Sequence, residues 1–144
     1  SSTDSHNLMH NHPFSKERFS QANKNLKDTI SILEKGDVNK FISVTESEAL
    51  TLHAMMMTSN PYFILMKEGT LSVIEKVWEF RKSSDIPLSF TLDAGANVHL
   101  LYPEKYKQTV LNFIEKELIV YCENQQYICD EVGSGANIIN ENYA

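Results

Sequence analysis

The chain of 144 residues has two cysteines, one tryptophan, and 13 basic residues against 19 acidic ones. Each shortage excludes something. Two thiols, Cys122 and Cys129, cannot build a disulfide framework. They flank a segment, 121–130, that reads as a hairpin, so a cross-strand bond is open in principle, but free thiols are expected. The net charge of −6 argues against a general nucleic-acid binder, which carries a basic face. It also leaves no obvious home for a diphosphate, so cations for an anionic ligand must be clustered locally or supplied from elsewhere. No apolar run approaches the ~20 residues that cross a bilayer, and no signal-peptide pattern is present. The default location is then the cytoplasm. Repeats and low-complexity tracts are absent. Gly133-Ser134-Gly135 is too short for a phosphate loop, lacking the Gly-x₄-Gly-Lys-Ser/Thr pattern and a following helix. It reads as a strand-end bulge.

What is present suits one globular domain over 1–144, with 42% hydrophobic and 22% charged residues. Ser1 opens without an initiator Met, so the chain is expected to be a fragment or a domain of a longer protein. Residues 1–13 are polar and loop-like. Phe14 to Leu33 reads as a helix with Ser15 as N-cap, on the apolar spacing of Phe19, Ala22, Leu26, Ile30 and Leu33. Gly36 stops it. A short helix is expected over 38–42 and another over 45–58, capped by Thr45 with Glu48 three residues on. The latter is apolar nearly all round, with Met55, Met56 and Met57, so it is buried or covered by a partner. Leu71 to Arg81 gives a fourth helix and 104–117 a fifth. Strands are expected at 88–93, 97–102, 118–122 and 126–132. The order predicts an α+β fold with helices on one face of a four-stranded antiparallel sheet.

The most informative stretch is 88–102. Leu88, Phe90 and Leu92 alternate with Ser89, Thr91 and Asp93, the period of a half-buried strand. Asp93 ends the strand on its polar face, beside Ala94, Gly95 and Ala96, which leave room above it. Such a carboxylate is a turn-former or a catalytic group, and on residue type alone the turn role is the commoner.

Asp93-Ala94-Gly95-Ala96-Asn97-Val98 resembles the Asp-Ala-Gly-Pro-Asn-Ala/Val segment of diphosphomevalonate decarboxylases, in the GHMP kinase superfamily. Three more stretches agree in order. Ser1-Ser2-Thr3 and His6 look like the family's Ser-Ser-Thr/Arg-x-Gly-Met loop. Residues 46–54 are similar to its acidic helix ending in His-Ala. Gly133-Ser134-Gly135 with Ile138-Ile139 resembles its closing strand. Ala96 replaces the usual Pro, and Ser5-His6 replaces Gly-Met.

The resemblance implies a ferredoxin-like C-terminal domain of an ATP-dependent decarboxylase acting on mevalonate 5-diphosphate in isoprenoid synthesis. It implies that Asp93 is the catalytic acid–base group over the substrate's tertiary hydroxyl. A placed carboxylate is worth ~10²–10⁴-fold there, and an ordinary Asp is ionised at neutral pH. Ser1, Ser2, Thr3, His6 and Ala94 are the implied substrate contacts, although chain ends also fray. ATP and Mg²⁺ would be held mainly by an N-terminal domain that this chain lacks. No cofactor or metal ligand is therefore expected here, and the chain alone should bind ATP poorly and not turn over. The implied partners are the small-molecule substrate and that N-terminal domain, with a homodimer left open. Neither nucleic acid nor membrane is expected.

Other candidates are weaker. His6, His10 and His12 lack the four ligands and spacing of a zinc site and read as a polar loop. His53, on an apolar helix face, reads as a core histidine bonded to a backbone carbonyl, near the cleft if the resemblance holds. Three alternatives stay open: a related mevalonate phosphate kinase, a stand-alone ferredoxin-like ligand-binding module, and a structural partner domain whose Met-rich helix mediates association.

Overall fold

The computed structural model describes residues 11–133 and 135. Helix α1 spans Ser15–Lys35. Phe14 holds the N-cap position without a side-chain cap, so Ser15 is the first helical residue rather than its cap. The helix ends at Gly36, whose φ of 65° is the left-handed conformation that glycine adopts without a Cβ clash. Helix α2, Val38–Met57, is continuous where two helices were expected. Its N-cap is Asp37, whose carboxylate accepts the Lys40 N–H at 3.1 Å. Thr45 is no cap. Its hydroxyl donates back to the Phe41 carbonyl at 2.9 Å, the bond a mid-helix threonine makes without breaking the helix.

Helix α3 spans Glu68–Ser84. Strands β1, Ser89–Leu92, and β2, Val98–Leu101, pair antiparallel, with Ser89 opposite Leu101 and Leu92 opposite Val98. A 3-10 turn at Glu104–Tyr106 leads into helix α4, Lys107–Phe113.

The expected four-stranded, ferredoxin-like sheet is corrected here: among the described residues the sheet has two strands, β1 and β2. The segment read as strand 118–122 instead prolongs α4 through a π-helical turn at Ile114–Leu118 and a 3-10 turn at Ile119–Tyr121. Strand propensity in Ile119 and Val120 suggested β structure. The spacing of Val110, Phe113, Ile114 and Leu118 is helical, and all four are buried against the core, so packing overrides propensity. The segment read as strand 126–132 pairs with no strand among the described residues: Ile128 and Val132 are almost fully exposed, and Tyr127 reaches Glu115 by its side chain alone. The expected 121–130 hairpin is therefore absent, and Cys122 and Cys129 are free thiols. Gly133 and Gly135 follow no strand, which removes the basis for a strand-end bulge.

The core joins Ala49 of α2, Val73, Ile74 and Val77 of α3, Leu88, Phe90 and Leu92, and the α4 residues Val110 and Phe113. The Phe80 and Phe113 rings stack at 4.2 Å. Helix α2 packs against both α1 and β1. Met55 and Met56 are buried and Met57 is partly exposed, so the Met-rich helix is mainly core. Helix α1 is turned unexpectedly. Leu26, Ile30 and Leu33 of its apolar stripe stay more than half exposed, while Arg18 is buried. The cause is Glu48 on α2, which receives both the Arg18 guanidinium and the Asn25 amide. Among the described residues no helix is long and apolar enough to cross a membrane.

Two outcomes test this packing. Phe90 has no exposed surface, so Phe90→Ala should cost about 3–5 kcal/mol in denaturant unfolding. The Lys40 N–H and ammonium hold the Asp37 carboxyl below its usual value. A lowered folded value means the cap stabilises above the unfolded pKa and is lost as pH falls through the folded one. Asp37→Ala should therefore melt below the parent at neutral pH. The gap should close below about pH 4, as thermal melts across pH would show.

Candidate active site

Helix α2 carries three polar side chains into its surroundings, and helical geometry sends them to different neighbours. Glu46 and His53 are seven residues apart, two turns, and share a face, whereas Glu48 lies about 200° round the axis from Glu46. Glu46 accepts the Trp78 indole N–H at 3.0 Å and two Arg81 N–H groups at 2.6 and 3.1 Å. Arg81 also donates to the Leu88 carbonyl at 2.6 Å, so one guanidinium ties α2, α3 and the approach to β1. Glu48 ties α2 to α1. His53, 1% exposed, reaches the turn between the strands.

That turn, residues 93–97, is held by its carbonyls. The Asp93 carbonyl lies 3.0 Å from His53 Nε2, and since a carbonyl only accepts, Nε2 carries the proton. The same oxygen accepts the Gly95 N–H at 2.7 Å. At the far end the buried Thr70 hydroxyl donates to the Ala96 carbonyl at 2.8 Å and accepts the Lys67 N–H at 3.1 Å. The backbone of the turn is thus anchored to α2 on one side and to the start of α3 on the other.

The Asp93 side chain points the other way. It is 84% exposed, and Oδ2 lies 3.3 Å from His99 Nε2. Register explains the pairing: His99 is opposite Thr91, which makes it the diagonal neighbour of Asp93 on one face of the ladder. A contact between side chains this exposed is worth little, so it leaves the carboxylate available to another partner. Ala94, Gly95 and Ala96 are half-buried and project little above it.

Asp93 and Ala94 are therefore adjacent on a fixed turn, and His53 bonds a carbonyl as the sequence suggested. Ser1, Ser2, Thr3, His6 and His10 lie outside the described residues. His12 is a buried structural residue: its ring accepts the Phe14 N–H at 3.1 Å and bonds the Thr58 hydroxyl at 2.9 Å. Among the described residues no three His, Cys, Asp or Glu side chains are grouped to hold a metal ion. A groove of about 430 Å³ between α1 and α2, lined by Asp28, Lys35, Asp37 and Lys40 among others, includes neither Asp93 nor His53. Sequence reasoning missed Thr70 and His99. The hairpin register would have found His99, since it follows from the two strands and their turn. Thr70 had no sequence signal.

A family model described as the mevalonate 5-diphosphate decarboxylase C-terminal domain matches residues 2–142. The phosphomevalonate decarboxylase of Haloferax volcanii is 25% identical over 127 residues, which are 88% of this chain and 37% of that protein. The crystal structure of a mevalonate diphosphate decarboxylase from Legionella pneumophila aligns with a TM-score of 0.76 at 27% identity. The alignment covers 82% of this chain and 38% of that one. The Enterococcus faecalis mevalonate diphosphate decarboxylase, described for its mevalonate-diphosphate-mediated ATP binding mechanism, aligns with a TM-score of 0.75. At 24% identity, over 82% of this chain and 38% of that one, it shares the fold. The chain spans a little over a third of the length of these relatives.

Proposed function

The chain belongs to the mevalonate 5-diphosphate decarboxylase C-terminal domain family, and from that premise we propose that it is the substrate-side domain of an ATP-dependent decarboxylase. The observation that carries the reading is the Asp93 carboxylate, exposed to solvent beside His99 and mounted on a backbone fixed from behind. In this reading Asp93 takes the proton of the substrate's tertiary hydroxyl as that oxygen attacks the γ-phosphorus of ATP and ADP leaves. The tertiary phosphate then departs with its C–O electron pair. Loss of CO₂ returns the C–C electrons to form the alkene of isopentenyl diphosphate. Ser1, Ser2, Thr3, His6 and Ala94 are the proposed substrate contacts.

ATP and Mg²⁺ belong to the same proposal. The described residues offer no metal cluster, and the sequence has no phosphate loop. The rest of such a protein would hold the nucleotide, and the family model's description as a C-terminal domain, matched by a chain about a third of the relatives' length, supports placing it N-terminally. A cytoplasmic location completes the reading, with the oligomeric state left open. The uncovered apolar stripe on α1 is consistent with a further protein contact.

The Haloferax relative favours a second reading, in which the substrate is mevalonate 5-phosphate rather than the diphosphate. One assay separates these. The full-length protein is given ATP, Mg²⁺ and either phosphorylated mevalonate, and ADP and CO₂ are followed together. Equal yields of both are expected, reduced about 10²-fold or more by Asp93→Ala. ADP without CO₂ would make the protein a kinase relative. Neither product from a folded protein would overturn the enzyme reading and favour a ligand-binding module.

A further inference from the structure

We infer that His53 and Thr70 are positioning residues for Asp93, fixing the carbonyls at the two ends of its turn so that the carboxylate meets the substrate in one orientation. The inference rests on the Asp93 reading above. It starts from what the turn cannot do for itself. Ala94, Gly95 and Ala96 have no side chains long enough to anchor it. A Cβ placed on Gly95 would meet nothing within 4 Å, so no steric wall holds the middle of the turn either. Ala96 stands where a proline would lock φ. The chain's own restraint is the short Gly95 N–H bond to the Asp93 carbonyl.

Rigidity must then come from outside, and two buried groups provide it. His53 and Thr70 are 1% and 3% exposed, and both donate into the turn. Without the His53 donor the Asp93 carbonyl keeps only the Gly95 N–H of the turn itself, and without the Thr70 hydroxyl the Ala96 carbonyl loses its bond to α3, so either change frees one end of the turn from its helix. The two anchors also belong to one frame, since Glu46 binds Arg81 and Trp78 and so locks α2 to α3. Neither residue reaches the reacting atoms: each acts through the backbone on which the carboxylate is mounted. A carboxylate that strays by an ångström loses about 10²-fold in rate.

The test uses the full-length protein and the phosphorylated mevalonate that it turns over. His53→Leu and Thr70→Val should lower kcat about ten- to a hundredfold with KM for ATP unchanged. Amide exchange over 92–98 should quicken while the rest of α2 stays protected. His53→Gln and Thr70→Ser, which keep a donor, should restore most of the rate and the protection. Circular dichroism identifies a variant that has lost its fold, and the conservative partner then decides. Normal kcat and unchanged exchange in Thr70→Val and His53→Leu would overturn the inference while leaving Asp93 intact. Full activity in Asp93→Asn would overturn the Asp93 reading itself, and this inference with it.

Discussion

Helix α2 is covered by α1 on one side and by β1 on another, and the rest of the structure depends on how its polar residues are satisfied there. A carboxylate or imidazole taken from water must find a partner, because an unpaired buried polar group costs more than most contacts return. Glu46 therefore requires Arg81 and Trp78 of α3, the buried Arg18 of α1 requires Glu48, and His53 requires the Asp93 carbonyl. These three demands set the rotation of both neighbouring helices and the position of one turn. They also explain why α1 leaves Leu26, Ile30 and Leu33 outside: the helix is oriented by its cation.

The consequence for function lies at the end of β1. A tight turn of small residues is a poor mount for a catalytic group unless something behind it is stiff. Here two backbone carbonyls of the turn are tied to two helices, and the other side presents Asp93 to solvent with His99 beside it. Buried side chains hold the backbone, and the exposed side chain is the one to which the proposed reading gives the chemistry. That division suits a site completed by another part of the protein, which is the arrangement proposed for the nucleotide.

Much of this was legible in the sequence because its signals are local. The alternation at 88–92, the small residues after Asp93, the Gly36 stop and the lone histidine on an apolar helix face each follow from a few neighbouring residues. The errors arose where distant contacts decide. Ile119 and Val120 look like strand, but Leu118 is drawn into the core with Val110 and Ile114, and the helix is prolonged. Thr45 looks like a cap, but its hydroxyl is satisfied one turn back and by Ser89. Thr70 bonds Ala96 across 26 positions, a distance over which spacing carries no information. His99 is the intermediate case, recoverable from register once the hairpin is accepted.

The central claim is that Asp93, held in place from behind, addresses the substrate's tertiary hydroxyl. The most direct measurement is a crystal structure of the full-length protein with a phosphorylated mevalonate and a non-hydrolysable ATP analogue. The account predicts an Asp93 carboxylate oxygen about 2.6–3.2 Å from that hydroxyl, with the His53 and Thr70 bonds to the turn intact. Another acid at the hydroxyl, with Asp93 turned away to solvent, would contradict it.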